Sequence, residues 1–187
     1  DIFKLVDEMS VQLKHDLKIP VYHIEETEDH PVTEMLTNSM EAFRLFINGN
    51  YMNDFKNDFQ KAASHVEQAV KDDPTFAYAW YQLAQVYIAL NQGEKAEQAI
   101  RVAIQHDYKL SEKDKFRVKY YYYFLFKQDQ DMAFTLAKRR IELFPQDVEG
   151  HLWLAEAYWN KNQLDEALSE YELILKLDPE QYINFQN

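Results

Sequence analysis

Residues 73–100 read DPTFAYAWYQLAQVYIALNQGEKAEQAI, and residues 144–179 read FPQDVEGHLWLAEAYWNKNQLDEALSEYELILKLDP. Laid over one another, the two stretches place Leu83, Ala84 and Tyr87 against Leu154, Ala155 and Tyr158, and Ala96, Ile100 and Ala103 against Ala167, Tyr171 and Ile174. Spacings of three, four and seven residues put each set on one face of an amphipathic helix, so each stretch predicts two helices. The small residues are the informative ones: Ala84 opposite Ala96, and Ala155 opposite Ala167, let two helices approach closely.

Working outward, Pro74, Tyr108, Pro145 and Pro179 fall at equivalent places, separated by 34, 37 and 34 residues. Self-similarity at this period marks an array of helix pairs, with one insertion of about three residues around Leu110–Phe116. A looser first unit begins near Ser39, with Gly49 at the small position followed by Ala62, Val66 and Ala69, and it is about one residue too long. The prolines end one helix and prepare the next.

Composition agrees. The 187 residues are 47% hydrophobic and 28% charged, as in a folded protein, while 3 glycines and 5 prolines leave little turn chemistry for a many-stranded sheet. Twenty basic against 32 acidic residues give a net charge of -12, which repels a phosphate backbone, and the longest basic cluster is Lys138-Arg139-Arg140, so no nucleic-acid partner is expected. The lack of cysteine removes disulfides, zinc thiolates and a cysteine nucleophile. No apolar run approaches the roughly 20 residues that span a bilayer, so no membrane insertion is expected of this chain, although its start at Asp1 rather than Met points to an excised piece whose anchor would lie elsewhere.

The segment Trp80, Leu83, Ala84, Tyr87, with Ala96 and Ala103 after it, resembles the W-x-x-L-[GA]-x-x-Y pattern of the tetratricopeptide repeat, a family with a two-helix unit of about 34 residues. The last unit repeats it through Leu154, Ala155, Tyr158, Ala167, Tyr171 and Pro179, with His151 in place of the tryptophan. The resemblance implies an all-α, right-handed superhelix of about four helix pairs: repeats near 39–74, 77–110, 111–147 and 148–181, preceded by an N-terminal helix and acidic linker over 1–35 and followed by the start of a capping helix at 182–187. In the N-terminal helix, Ile2, Leu5, Val6, Met9, Leu13 and Leu17 form the apolar stripe. The order of that helix, the linker EETEDH, the entry TNSMEAFRLF and the insertion LSEKDKF is similar to the C-terminal region of bacterial multidomain signalling proteins. In those, the repeats follow serine/threonine kinase, adenylate cyclase or winged-helix regulator modules, and the compartment, cytoplasmic or extracytoplasmic, follows from the attached parts.

No catalytic chemistry is encoded. His15, His23, His30, His65, His106 and His151 show no metal-ligand spacing and are expected to be solvated or boundary residues; no phosphate loop or nucleophile elbow occurs, and no cofactor or metal is expected. Pairs such as Asp72-Asp73 sit at helix ends. What such an array offers is a groove lined by its first helices. The family's groove positions fall on Phe43, Phe46, Asn50, Tyr78, Tyr81, Gln85, Ile88, Lys115, Val118, Lys119, Tyr122, Leu125, Leu152, Glu156 and Trp159, with Glu149 beside them. They imply a non-catalytic module that holds a peptide or partner helix. The competing expectations are a sensor for a small ligand in the aromatic groove, a module that pairs with a second copy of itself, and a groove filled by the chain's own N-terminal helix. A clamp for a C-terminal carboxylate would use Asn50, Gln82, Lys115 and Lys119, but Phe46 stands where it needs a lysine.

The run KYYYYFLFK, 119–127, then belongs to the first helix of the third unit, not to a strand. Ser111 and Asp114 have capping-box spacing at its start. Tyr120, Tyr121 and Phe124 point to the core, Tyr122 and Leu125 to the groove, and Tyr123 to the rim. Tyr121 replaces Gly49, Ala84 and Ala155 of the other units, while Ala137 replaces Ile100 or Tyr171, so bulk has crossed from one helix to the other.

Overall fold

The computed structural model describes residues 3–6, 8, 9, 12 and 36–178; the expected linker, Ile2, Leu13, Leu17 and the 182–187 segment lie outside them. The described chain is helical with no strand, and it divides into two compact units, Asp1–Ser111 and Glu112–Asn187. Unit one holds α1 (Met40–Asp54), α2 (Phe59–Asp72), α3 (Ala77–Ala89), α4 (Gly93–Gln105) and a 3-10 turn (Asp107–Lys109), after helical residues near the N-terminus. Unit two holds α5 (Glu112–Tyr121), a π-turn (Tyr122–Lys127), α6 (Gln130–Leu143), α7 (Val148–Asn160) and α8 (Leu164–Leu177). Packing follows chain order: α1 on α2, α2 on α3 and α3 on α4 in one unit, α5 on α6, α6 on α7 and α7 on α8 in the other. These are four helix pairs of the expected all-α kind.

Local chemistry sets the ends. Ser39, Asp58, Asp129 and Asp147 each accept a hydrogen bond from a backbone N–H three residues on, capping α1, α2, α6 and α7. Within each pair the turn passes through one left-handed residue: Asn57, Asn91, Gln128 and Asn162, with φ of 50, 57, 53 and 58°. Asparagine tolerates that backbone; glutamine, without a local hydrogen bond to offset the Cβ clash, fits it less well.

The cores show how side-chain bulk is exchanged across each pair. A methyl group on Gly49 would overlap Val66 Cγ2, so this site takes no side chain while valine is opposite. In the second pair Ala84 and Ile100 are both buried to 1% exposure. In the third, Ala137 is fully buried in a cluster with Tyr120, Ala133, Trp153 and Leu154, and Tyr121 and Phe124 pack against it. The inward direction expected for Tyr120, Tyr121 and Phe124 therefore holds.

Two expectations need correction. The aromatic run does not continue as an α-helix: Tyr122–Lys127 is a π-turn, closed by Asp129 N–H donating to the Tyr123 carbonyl at 3.0 Å. At the equivalent turns of the second and fourth pairs Gln92 donates to Tyr87 and Gln163 to Tyr158, one residue tighter, while Asp58 of the first pair, donating to Met52, spans the same six residues. Bulky rings on five consecutive residues crowd successive α-turns, and the wider turn gives them room. In the N-terminal segment, Leu5, Val6 and Met9 are 52, 45 and 61% exposed, while Phe3, off the expected stripe, is buried. The Phe3 ring docks edge-on to Phe43 with centroids 5.6 Å apart, and an aromatic ring buries a large apolar area in a single contact.

Candidate peptide-binding surface

In unit one, α1 and α3 carry the expected groove residues. Phe46 and Tyr81 are buried; Phe46 meets the Phe76 ring at 5.0 Å and the Tyr78 ring at 5.9 Å, and Tyr78 meets Tyr81 at 6.1 Å. Tyr81 Oη accepts from Gln85 Nε2 at 2.9 Å. Phe43 and Tyr78 are half-buried, and Gln85 and Ile88 are exposed. Phe43 is already in contact with Phe3, so the N-terminal segment covers that edge. Asn50 is half-buried, and its Oδ1 is buried with no hydrogen-bond donor. Leaving such an amide oxygen bare costs about 1 to 3 kcal/mol.

In unit two, Val118 is fully buried, Lys119, Tyr122 and Leu152 are half-buried, and Leu125, Glu156 and Trp159 are exposed, Trp159 to 62%. Tyr122 lies edge-on to Tyr123 at 5.4 Å, and Lys127 Nζ sits 5.1 Å from its ring centroid. Lys115 is paired with Glu112. Glu156 is exposed as a residue, yet the neighbours packed about its carboxyl keep part of its water away and raise it above the usual range. In each unit some of the expected positions are buried and others are open to solvent.

Sequence reasoning missed the charged core of unit two. Arg140, read as part of a surface basic cluster, is 1% exposed: its Nε donates to Asp147 at 2.7 Å and its NH2 to Glu149 at 2.7 Å. Its guanidinium lies 4.4 Å from the Trp153 ring centroid, and Tyr120 stacks on Trp153 at 4.0 Å. Arg117 grips Glu149 at 2.6 and 2.9 Å and Asp114 at 2.6 Å, and Lys113 reaches Asp147 at 3.2 Å. Burial alone would raise the Asp147 carboxyl, but hydrogen bonds from Arg140 and the Gly150 N–H outweigh it and hold it below the usual range. Glu149 is therefore a core partner of two arginines. The signal was present in the register: Arg140 occupies the place of Ala103, where a charge has to bring its own partners.

His151 is likewise no boundary residue. It is 3% exposed, with Nε2 2.9 Å from the Pro145 carbonyl and Nδ1 2.6 Å from Glu170 Oε2. Trp80, its counterpart, donates from Nε1 to the Pro74 carbonyl at 2.8 Å, so the histidine replaces the tryptophan by reproducing its hydrogen bond. Asp72 and Asp73 also have structural work: Thr37 donates to Asp73 at 2.6 Å, Ser39 donates to Asp72, and Lys109 sits 3.9 Å from Asp73. The entry TNSMEAFRLF thus fastens α1 to the end of α2. Among the described residues there is no group of three or more side chains suited to a metal, and no helix long and apolar enough to cross a membrane.

Two family models match, both tetratricopeptide repeats, over residues 56–112 and 148–181. Among curated proteins no sequence matches the chain. Solved structures similar to it include YrrB (22% identity, TM-score 0.55, covering 76% of this chain and 71% of that one). MamA from Desulfovibrio magneticus RS-1 is also similar (15% identity, TM-score 0.56, 76% and 78%). A third is TTC0263 from Thermus thermophilus (15% identity, TM-score 0.54, 74% and 75%). With the period, the helix pairs and the two matched stretches in agreement, the chain is a tetratricopeptide-repeat protein structurally related to these bacterial proteins.

Proposed function

We propose that this chain is a non-catalytic binding module that holds an extended peptide or a partner helix against the first helices of its pairs. The observation that carries the reading is Asn50: a side-chain amide oxygen buried on α1 without a donor, on the same helix as the half-buried Phe43 and the buried Phe46. The Asn50 side chain as a whole is only half-buried, and turning its amide outward presents that oxygen to a backbone N–H of a bound peptide, the donor it lacks. YrrB, similar in fold, is described as a tetratricopeptide-repeat protein with an unusual peptide-binding site, which fits the same use of the fold here. The test is selection from a random peptide library, followed by affinity measurement on the wild type and Asn50→Ala. The variant is expected to bind about tenfold more weakly, the equivalent of one hydrogen bond. A protein that retains no peptide, or an Asn50→Ala variant with unchanged affinity, overturns the reading.

The similarity of TNSMEAFRLF and LSEKDKF to bacterial signalling proteins supports placing the module in a larger regulatory protein of kinase, cyclase or winged-helix type, whose attached parts set its compartment. The sequence of the full gene product tests this directly. Self-association is a second reading, favoured by one observation: Leu164, Leu168 and Leu175 lie along one face of α8 and are 51, 57 and 39% exposed. Light scattering over a concentration series would show a dimer; a strictly monomeric protein removes that reading.

A further inference from the structure

Unit two contains a hollow of about 490 Å³ lined by Phe124, Glu156, Trp159, Asn160 and Tyr171. Three of the five are aromatic, one is an acid and none is basic. Among the described residues Glu156 has neither a hydrogen bond nor an ion pair, whereas Glu112, Asp114, Asp131, Glu142, Asp147 and Glu149 of this unit each have a lysine or arginine partner.

The rings tell the same story. Phe144 carries Lys113, Tyr122 carries Lys127, Phe134 carries Lys138 and Lys161, and Trp153 carries Arg140, at 4.2 to 5.6 Å from ring centroids. No cation of the described chain lies over Phe124, Trp159 or Tyr171. Phe124, Trp159 and Tyr171, none of which carries a cation, are grouped in one hollow with Glu156, an acid that has no cation of its own. Phe124 reaches the hollow from the π-turn, a helix distortion that recurs at functional sites.

From this geometry we infer that the hollow receives a cationic side chain of the bound partner, a lysine, arginine or methylated lysine, with its charge against Glu156 and its stem between the Trp159, Tyr171 and Phe124 rings. A ring face attracts a cation through its quadrupole, and a carboxylate in the same lining adds a direct charge contact. The net charge of -12 favours approach of a basic partner over the rest of the surface. Glu156 also adds, after burial, to what raises the Tyr171 hydroxyl, which places an uncompensated negative charge beside that ring. The inference rests on the peptide-binding reading above and assigns it one subsite.

The experiment is a selection from random peptides against the full chain, scored for residue type at each peptide position. Wild type is expected to enrich lysine or arginine at one position by on the order of tenfold over glutamine. Glu156→Gln should remove that enrichment while keeping overall retention, and Glu156→Lys should replace it with aspartate or glutamate. Circular dichroism melting confirms that each variant is folded. Retention without a cation preference, or a preference untouched in both Glu156 variants, overturns the subsite and leaves the peptide-binding reading standing. No retention by folded wild type overturns both.

Discussion

The second and third helix pairs share a register and little else. Where α3 and α4 place Trp80, Leu83, Ala84, Ile100 and Ala103, the third pair places Arg117, Tyr120, Tyr121, Ala137 and Arg140. The second pair is a dry interface of aliphatic and small side chains, with Leu83, Ala84, Ile100 and Ala103 all at 2% exposure or less. The third buries a guanidinium and stacks aromatic rings, and holds them with carboxylates contributed by Asp147 and Glu149. One backbone plan therefore accepts two cores, provided that each substitution arrives with its complement.

The comparison breaks hardest at Arg140. Arg140→Ala removes a buried charge that satisfies two carboxylates and is expected to cost about 3 to 5 kcal/mol, read from urea denaturation. A cost below about 1 kcal/mol would mean that the guanidinium adds nothing the alanine of the second pair lacks. Next comes the exchange of bulk. Tyr121→Ala is expected to cost about 3 kcal/mol, toward the lower end for an aromatic truncation because Tyr121 is half-buried. Adding Ala137→Ile, which restores the arrangement of the second pair, should recover at least about 1 kcal/mol of that. Strict additivity of the two substitutions would sink the exchange.

Smaller effects sharpen the contrast. Gln128 holds φ at 53° where the second pair has Asn91 at 57°. Gln128→Gly should therefore stabilise by about 0.5 kcal/mol, and Asn91→Gly by less, as thermal midpoints would show. The least effect is at Glu156, whose counterpart in the second pair is Gln85. Because burial holds the folded carboxyl above its unfolded value, its favourable contribution is present below the unfolded value, near pH 4, and is lost as pH rises through the folded one. Glu156→Gln is thus expected to raise the melting midpoint slightly at pH 7 and to leave it unchanged at pH 4. Asp147 has the opposite sign: its folded carboxyl lies below the unfolded value, so its contribution holds at neutral pH and disappears as pH falls below about 4. A midpoint that rises equally for Glu156→Gln at both pH values would contradict that assignment.

Much of the architecture was legible because helix pairs declare themselves twice, in the 34-residue period and in the recurrence of small residues such as Ala84 and Ala155. The inward faces of Tyr120, Tyr121 and Phe124 followed from that register. What the register conceals is chemistry that depends on a second element. Arg140 looked like surface charge because its partners lie beyond the end of its own helix, on Asp147 and Glu149. His151 looked like a departure from the tryptophan pattern because a sequence shows residue type and not the Pro145 carbonyl that its ring reaches, as Trp80 reaches that of Pro74. The π-turn was hidden for another reason: the run of rings that crowds the helix is plain in the sequence, but which turn widens to relieve it is decided by packing. At the surface, sequence alone did not separate Phe46, Tyr81 and Val118, which are buried, from Ile88, Leu125 and Trp159, which are exposed.

The three-residue insertion has a consequence for how such an array varies in length. Tyr121 precedes Ala133 by 12 residues, as Ala84 precedes Ala96 and Ala155 precedes Ala167, so the added residues all lie ahead of Tyr121. They lengthen the approach to α5 and its first turn, where Lys113 and Asp114 find their partners. A residue inserted further along would rotate every later side chain by about 100° about the helix axis and turn core positions out to water. Placed at the start, the insertion leaves the angular phase of the helix intact. Helix starts are in this sense the joints of the array, where a lineage gains or loses residues without re-solving the core.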